Sequence, residues 1–409
     1  MRILTFTSIF PNSMDSTHGI FIYQRSRHLA RRPGNDVVAV SPLPYFPRWL
    51  NARRWRAAGQ LPDQEIVGGL QVHHPRYPLV PKISMPLHAI FMFLGSLRCV
   101  AAVNREAKID CIDAHFVYPD GLAAVLLGRY FDVPVVVSAR GTDINLFPSF
   151  RLIKPMIRWT LKHADGVIAV SAALREAMVG LGCSKDMIHL IPNAVDTERF
   201  RLIPVREAKQ RLNVPEDGPL LVSVGSLIPS KGHQLTIRAV EQIRDQFPSL
   251  RLYIIGEGPY RAELERLIKS LNLQDRVYVL GKRPNEELPF WFAAASLSCL
   301  ASSREGWPNA VTESLACGTP VVATRVGGIP EIVNKPELGT LVEQTSESIA
   351  AGIMQVLRSN WDRGAISREA SARTWETVAM EVEEVLSASL KLREARLKKS
   401  GAKDSENWG

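Results

Sequence analysis

The stretch REGWPNAVTESLACGTPVVATRVGGIPEIV, Arg304–Val333, reads as a turn, a helix, a buried strand and a glycine turn in succession. Gly306, Pro308 and Asn309 form the turn, and a helix begins at about Ala310. TPVVAT, Thr319–Thr324, is a short continuous apolar run, the pattern of a parallel strand covered on both faces. Glu313 lies eight residues after Glu305, roughly one to two turns inside the helix. Backbone amides at such a helix start make an anion site suited to phosphate. A carboxylate such as Glu313 can accept hydrogen bonds from a ribose diol. The helix dipole alone also favours exposed glutamates at these places.

The same alternation extends outward in both directions. MRILTF (Met1–Phe6), DVVAVS (Asp36–Ser41), CIDAHF (Cys111–Phe116), VPVVVSA (Val133–Ala139) and GVIAVS (Gly166–Ser171) are continuous apolar runs. Helical periods separate them at Ile20–Arg32, Leu87–Arg105, Gly121–Arg129, Ile153–His163 and Ala172–Gly180. After the aperiodic, proline-bearing Ile191–Val205 the theme restarts with LLVSVG, LRLYIIG, RVYVLG and AASLSCL. Strand–helix alternation of this kind predicts doubly wound α/β layers, and the break predicts two Rossmann-like domains with a cleft between them. The expected boundaries are 1–195, 196–374, a C-terminal helix over 375–400 that packs back on the first domain, and a flexible tail at 401–409.

At 409 residues, 46% apolar and 22% charged, the chain has the length for two domains and the composition of a globular protein. Its five scattered cysteines include no C-x-x-C pair, which argues against a disulfide framework or a zinc site. The opening MRILTFTSIFPNSMD lacks the long apolar region of a secretory signal. ISMPLHAIFMFLGSLRCVAAV, Ile83–Val103, is the most apolar stretch, and Pro86, His88 and Arg98 predict a buried or interfacial helix rather than a spanning one. Residues 1–200 hold 23 Lys and Arg against 15 Asp and Glu, so nearly all of the +9 net charge lies there. Without a basic run interleaved with aromatics, that charge suits a phosphorylated substrate or an anionic bilayer better than nucleic acid.

Taken as a whole, Arg304–Val333 resembles the signature of the retaining glycosyltransferases of family 4, whose fold is GT-B: α/β, two Rossmann-like doubly wound domains facing across a cleft. Glu305, Glu313, Ala316, Gly318, Pro320, Val321, Val322, Gly327, Gly328 and Glu331 are in register with it. The resemblance implies that Glu313 holds the ribose hydroxyls of a nucleotide sugar and that Glu305 faces its sugar and phosphate. It gives the backbone of Gly306, Trp307, Pro308, Asn309 and Ala310 to the sugar and diphosphate.

Further motifs carry the likeness along the chain. In VGSLIPSKG, Val224–Gly232, Lys231 stands where the family binds the diphosphate, and Ser226 replaces the family's arginine. A lysine there neutralises a leaving diphosphate as a point charge; on the residues alone it is equally a solvated loop lysine. IIGEGPYRAEL, Ile254–Leu264, lacks the third glycine of a dinucleotide fingerprint, and Gly256 instead matches the family's G-x-G-P beside the nucleotide. The loop Leu280–Leu288 approaches the base by resemblance. In the first half, Gly19 closes the long loop Pro11–Gly19, where the family's glycine-bearing loop covers the donor diphosphate and acceptor. Arg140 replaces the histidine of the family's H-G-x-D in VSARGTDIN, and is suited to a phosphate or carboxylate, or to a structural pair with Asp143. His115, at another strand end, and Asp143 are acceptor-side candidates.

The expected activity is transfer of a sugar from a nucleotide diphosphate to a hydroxyl, with retention, in bacterial polysaccharide or glycolipid biosynthesis. The family resemblance implies front-face displacement in which the departing phosphate takes the acceptor proton, with Lys231, Glu305 and Arg140 as the catalytic set and no metal or other cofactor. The expected partners are a nucleotide sugar and a polysaccharide or lipid-linked acceptor, with no nucleic acid. An anionic membrane surface joins them, because Arg25, Arg27, Arg31 and Arg32 crowd one short helix and Arg53, Arg54 and Arg56 follow. That places the enzyme in the cytoplasm, peripheral to the inner leaflet of the plasma membrane. The other readings are a nucleotide-sugar epimerase of the same fold and a non-catalytic sugar-nucleotide-binding subunit.

Overall fold

The apolar runs become the central strands of parallel sheets in two units of a computed structural model, Met1–Pro192 with the C-terminal helix, and Asn193–Thr374. The structure describes residues 1–45, 61–79 and 85–406. Arg53, Arg54 and Arg56 lie outside the described residues.

The first unit holds strands β1 (Arg2–Phe6), β2 (Asp36–Val40), β3 (Leu43–Tyr45), β4 (Gln64–Val67), β5 (Leu70–His73), β6 (Arg76–Pro78), β7 (Cys111–His115), β8 (Val135–Ala139), β9 (Gly166–Ala169) and β10 (Ile188–Leu190). Its helices are α1 (Ile20–Arg31), α2 (His88–Glu106), α3 (Leu122–Phe131), α4 (Thr142–Asn145), α5 (Lys154–His163) and α6 (Ala172–Gly180). The eight-stranded sheet runs β10-β9-β8-β7-β1-β2-β5-β4. In register, Ile3 of β1 faces both Val37 of β2 and Cys111 of β7. Every residue of β7, β8 and β9 is buried, which is why those runs show no alternation. Among the described strands only β4 pairs antiparallel, through the Gly68-Gly69 turn to β5. β5 alternates apolar and polar residues, β4 has only exposed and half-buried ones, and β3 and β6 are very short, so continuous apolar runs did not reveal them.

The second unit holds α7 (Val205–Leu212), β11 (Leu220–Val224), α8 (His233–Gln242), β12 (Arg251–Ile255), α9 (Arg261–Ser270), β13 (Val277–Gly281), α10 (Leu288–Ala294) and β14 (Leu297–Leu300). It continues with α11 (Asn309–Ala316), β15 (Val321–Thr324), α12 (Ile329–Ile332), β16 (Gly339–Val342), α13 (Ser346–Arg358) and α14 (Arg363–Ser371). The six strands are all parallel, in the order β13-β12-β11-β14-β15-β16. The winding direction therefore reverses between β11 and β14, and their C-terminal loops diverge to leave a crevice.

Helix α15, Trp375–Glu406, returns to the first unit. Its Arg393 bonds Asp132 at 2.7 Å, and its Glu383 pairs with Arg32 of the segment after α1. The helix continues to Glu406, six residues past the expected end at 400. Two of the four arginines assigned to a basic surface are thereby withdrawn from it. Arg32 is tied to Glu383, and Arg25 is fully buried against Asp113 at 2.7 Å. Period-reading marks Arg25 as polar, but α1 turns it inward.

Pro86 and His88 do not interrupt the apolar segment. Pro86 falls in a 3-10 turn that leads into α2, and the His88 ring meets the Tyr77 hydroxyl at 2.6 Å. Burial pushes His88 down to about 4, so the ring is neutral at pH 7. By length and composition Met85–Glu106 suffices to cross a membrane. Ala89, Met92, Ser96, Val100 and Val103 form its buried stripe, while Leu87 and Leu94 are exposed.

Candidate active site

The crevice of the second unit is built from the loops that follow β11 and β14. Gly232 turns the first loop with φ +71°, and a Cβ there would lie 1.9 Å from the Ala301 carbonyl oxygen. Only glycine allows this loop to press so closely on the end of β14. The Ser303 amide donates to the Ser230 carbonyl at 2.8 Å across the same contact. The result is that Lys231 Nζ lies 2.5 Å from Glu305 Oε1, an oxygen that also accepts the Ser302 hydroxyl at 2.7 Å.

Glu305 is held from its other side by the glycine pair before α12. Gly327 has φ +54°, and a Cβ would fall 2.0 Å from the Glu305 carbonyl oxygen. The Gly328 amide donates to the Gly306 carbonyl at 3.2 Å. Two loops from different strands thus set one carboxylate, whose side chain is 9% exposed.

Glu313 sits half-buried in α11. Burial is the main cause that pushes its carboxyl up to about 7; nearby Arg199 opposes the rise and Asp196 adds to it. Asp196 and Arg199 belong to the segment that reads from sequence as a linker, where no periodicity marks them. Of the turn before Glu313, Gly306 and Pro308 are buried, while Trp307, Asn309 and Ala310 are half-buried. Asn309 accepts from the Asn193 side-chain amide at 3.1 Å, and Trp307 packs against the cluster of Val311, Leu315 and Ile329. Ser226 is exposed just beyond β11. The absent Cβ of Gly256 brings the ends of β11 and β12 together, since it would stand 1.9 Å from the Gly225 carbonyl oxygen.

In the first unit the remaining candidates gather at the ends of β7 and β8. Arg140 Nη2 is 2.5 Å from His115 Nδ1, and its guanidinium lies 5.3 Å from the centre of the Phe21 ring. His115 is fully buried, which drives it down to about 3, and its Nε2 stands 3.4 Å from Asp113. Burial also lowers Arg140, to about 9, with Arg25 adding to the shift. Asp143 accepts the amides of Val117 and Gly141 at 2.7 Å each and that of Arg140 at 3.1 Å. Its carboxylate therefore ties its own loop to the one after β7, and burial withdraws His115 and Asp143 from an open acceptor surface. Gly19 has φ +71°, and its close approach is to the Ile9 carbonyl of its own loop, 2.5 Å from where a Cβ would be.

Two sheets of this topology, with a polar crevice at the strand ends of the second, define a GT-B protein. Similar folds are sucrose-phosphate synthase of Thermosynechococcus elongatus (TM-score 0.73, 22% identity, 98% of this chain and 99% of that one) and Anabaena HepE in complex with UDP (TM-score 0.71, 22% identity, 95% and 100%). Residues 18–199 match the family described as Glycosyltransferase Family 4, and residues 204–373 match Glycosyl transferases group 1. A GDP-mannose-dependent alpha-(1-6)-phosphatidylinositol monomannoside mannosyltransferase of Mycolicibacterium smegmatis is 30% identical over 79% of this chain and 84% of its own. A putative teichuronic acid biosynthesis glycosyltransferase of Bacillus subtilis is 29% identical over 86% and 88%. The chain belongs to glycosyltransferase family 4. It is a transferase enzyme of glycan biosynthesis.

Proposed function

We propose that the chain moves a sugar from a nucleoside-diphosphate sugar to a hydroxyl of a polysaccharide or lipid-linked acceptor, with retention at the anomeric carbon. The observation that carries this reading is the Lys231–Glu305 contact at the end of β14, just before the turn that leads to Glu313. An incoming diphosphate competes with Glu305 for the lysine cation. As the cation turns to the phosphate, Glu305 exchanges its lysine contact for a sugar hydroxyl and keeps the Ser302 hydroxyl. Lys231 and the amides at the start of α11 then stabilise charge on the leaving diphosphate. The ionised Glu313 accepts the ribose diol. The departing phosphate takes the acceptor proton, so no side-chain base is required.

The reading includes no resident metal or other cofactor. Relatives named for teichuronic acid, phosphatidylinositol mannoside and inositol phosphate glycosylation support an envelope glycan or glycolipid as acceptor. The positive charge of residues 1–200, with Leu94 exposed on α2 and Leu87 exposed in the turn before it, supports a place at the anionic inner leaflet.

A panel of nucleotide sugars tested by thermal shift, followed by transfer to saccharide and lipid acceptors, decides the matter. One donor is expected to stabilise the fold and to yield a glycoside of unchanged anomeric configuration. Inversion of the product, or epimerised donor with no acceptor consumed, overturns the reading.

A further inference from the structure

A cavity of about 640 Å³ in the second unit has none of Lys231, Glu305 and Glu313 in its lining. It runs from the C-terminal end of α7 (Arg211, Leu212) to the loop after β13 (Arg283, Glu286, Glu287), the loop that the family resemblance turns toward the base, whereas Lys231 and Glu305 follow β11 and β14. Its walls are aromatic: Tyr253 of β12 with Phe290 and Trp291 of α10. Tyr253 stacks on Tyr278 at 5.0 Å between centroids with 19° between planes, and lies 5.0 Å from Trp291. The Arg211 guanidinium stands 5.5 Å from the centre of the Phe290 ring. Trp291 is 4% exposed, and its indole N–H has no hydrogen-bond partner among the described residues. The charged rim is balanced, Arg211 and Arg283 against Glu286 and Glu287.

We propose that this cavity holds a neutral saccharide segment of the glycan that the enzyme extends. Aromatic faces accept the C–H faces of pyranose rings, and an apolar wall with few convergent polar groups is the usual build of a ligand cleft. Guanidinium and carboxylate groups bond the hydroxyls, donors on one side and acceptors on the other. A rim with equal cations and carboxylates gives no net attraction to a phosphate or a uronate, which selects an uncharged chain. The buried indole N–H gains a partner when a hydroxyl is present. Such a site retains the growing glycan while donor and nucleotide exchange. The assignment goes beyond the donor reading and does not depend on the roles of Lys231 or Glu313.

The test is calorimetric titration of the full chain with cellotetraose, maltotetraose, mannotetraose and chitotetraose, each alone and with saturating UDP or GDP. At least one tetrasaccharide is expected to bind, equally well with nucleotide present. Arg211→Ala and Phe290→Ala are each expected to weaken it roughly tenfold, with turnover on a monosaccharide acceptor unchanged and unaltered circular dichroism. Displacement by the nucleotide makes the cavity a base subsite and overturns the proposal. Heat from none of the four sugars, or wild-type affinity in both variants, overturns it as well.

Discussion

Lys231 Nζ and Glu305 Oε1, 74 positions apart in sequence, stand 2.5 Å apart on the loops that follow two neighbouring strands. The lysine side chain is 24% exposed and the glutamate 9%, so this pair is neither a free surface contact nor a fully buried one. Lys231→Ala is expected to lower turnover by about two to three orders of magnitude, since a charge on the leaving group loses its cation. Stability should fall too, by about 1–2 kcal/mol, because Glu305 loses the charge-assisted bond from the lysine. Adding Glu305→Gln should recover part of that loss without restoring activity. Strictly additive unfolding energies in the double-mutant cycle would show that the two residues do not act as a pair.

Glu313 titrates about 7, against an ordinary 4.5, because burial penalises its charge. Its contribution to stability is full below the unfolded value and disappears as pH rises through the folded one. Glu313→Gln should therefore gain on the wild type by about 2 kcal/mol between pH 5 and pH 8. Urea unfolding at the two pH values measures this. Nucleoside diphosphate affinity should move the other way, rising through pH 7 in the wild type and staying flat in the variant. A flat wild-type profile removes Glu313 from the ribose.

Gly327→Ala places a Cβ at 2.0 Å from the Glu305 carbonyl oxygen on a backbone with φ +54°. The loop must shift, at a cost of about 1–3 kcal/mol, and Glu305 moves with it. Turnover should drop while nucleoside diphosphate affinity holds, since Glu313 lies on α11 and not on this contact. An unchanged kcat would detach the glycine pair from Glu305.

The buried pair of Arg25 and Asp113 lies deep in the first unit, with Arg25 Nη1 also donating to the Ser138 hydroxyl at 2.8 Å. Arg25→Ala should cost about 3–5 kcal/mol, because Asp113 is left charged in the core. Replacing both, by Arg25→Met with Asp113→Leu, should recover most of it. Denaturant midpoints of the three proteins give the answer, and a mild single variant would mean that the pair is solvated.

Vesicle co-sedimentation tests the membrane assignment. Each cation near an anionic surface contributes about 1 kcal/mol, and the attraction decays over a Debye length of roughly 8 Å at physiological salt. Binding should need anionic lipid and fade as salt rises. Equal recovery on neutral and anionic vesicles, or none on either, removes the bilayer from the partners.

Much of the fold was legible because parallel strands buried on both faces must be continuously apolar. LLVSV and VVVSA cannot easily be anything else once helical periods flank them. The site signature was legible for a related reason: a glycine such as Gly327 must stay glycine where the Glu305 carbonyl presses on it, so it leaves a fixed spacing around Glu305. Strands with little burial contrast, such as β4 and β16, left no such trace.

What the sequence determined by itself was the alternation of elements, the two-unit division and the residue types available for a nucleotide sugar. Tertiary structure alone decided who meets whom. Arg25 reads as one more surface cation and is fully buried, because α1 lies with that face against β7. Asp143 reads as an acceptor-side carboxylate and is consumed by two amides of its own loop, Arg140 and Gly141, and by the Val117 amide from the loop after β7. Lys231 reads as a loop lysine and finds Glu305 only because β11 and β14 are neighbours at the point where the winding reverses. Charge and burial are set by distance in space, and a chain's pattern records such distances only within its own elements.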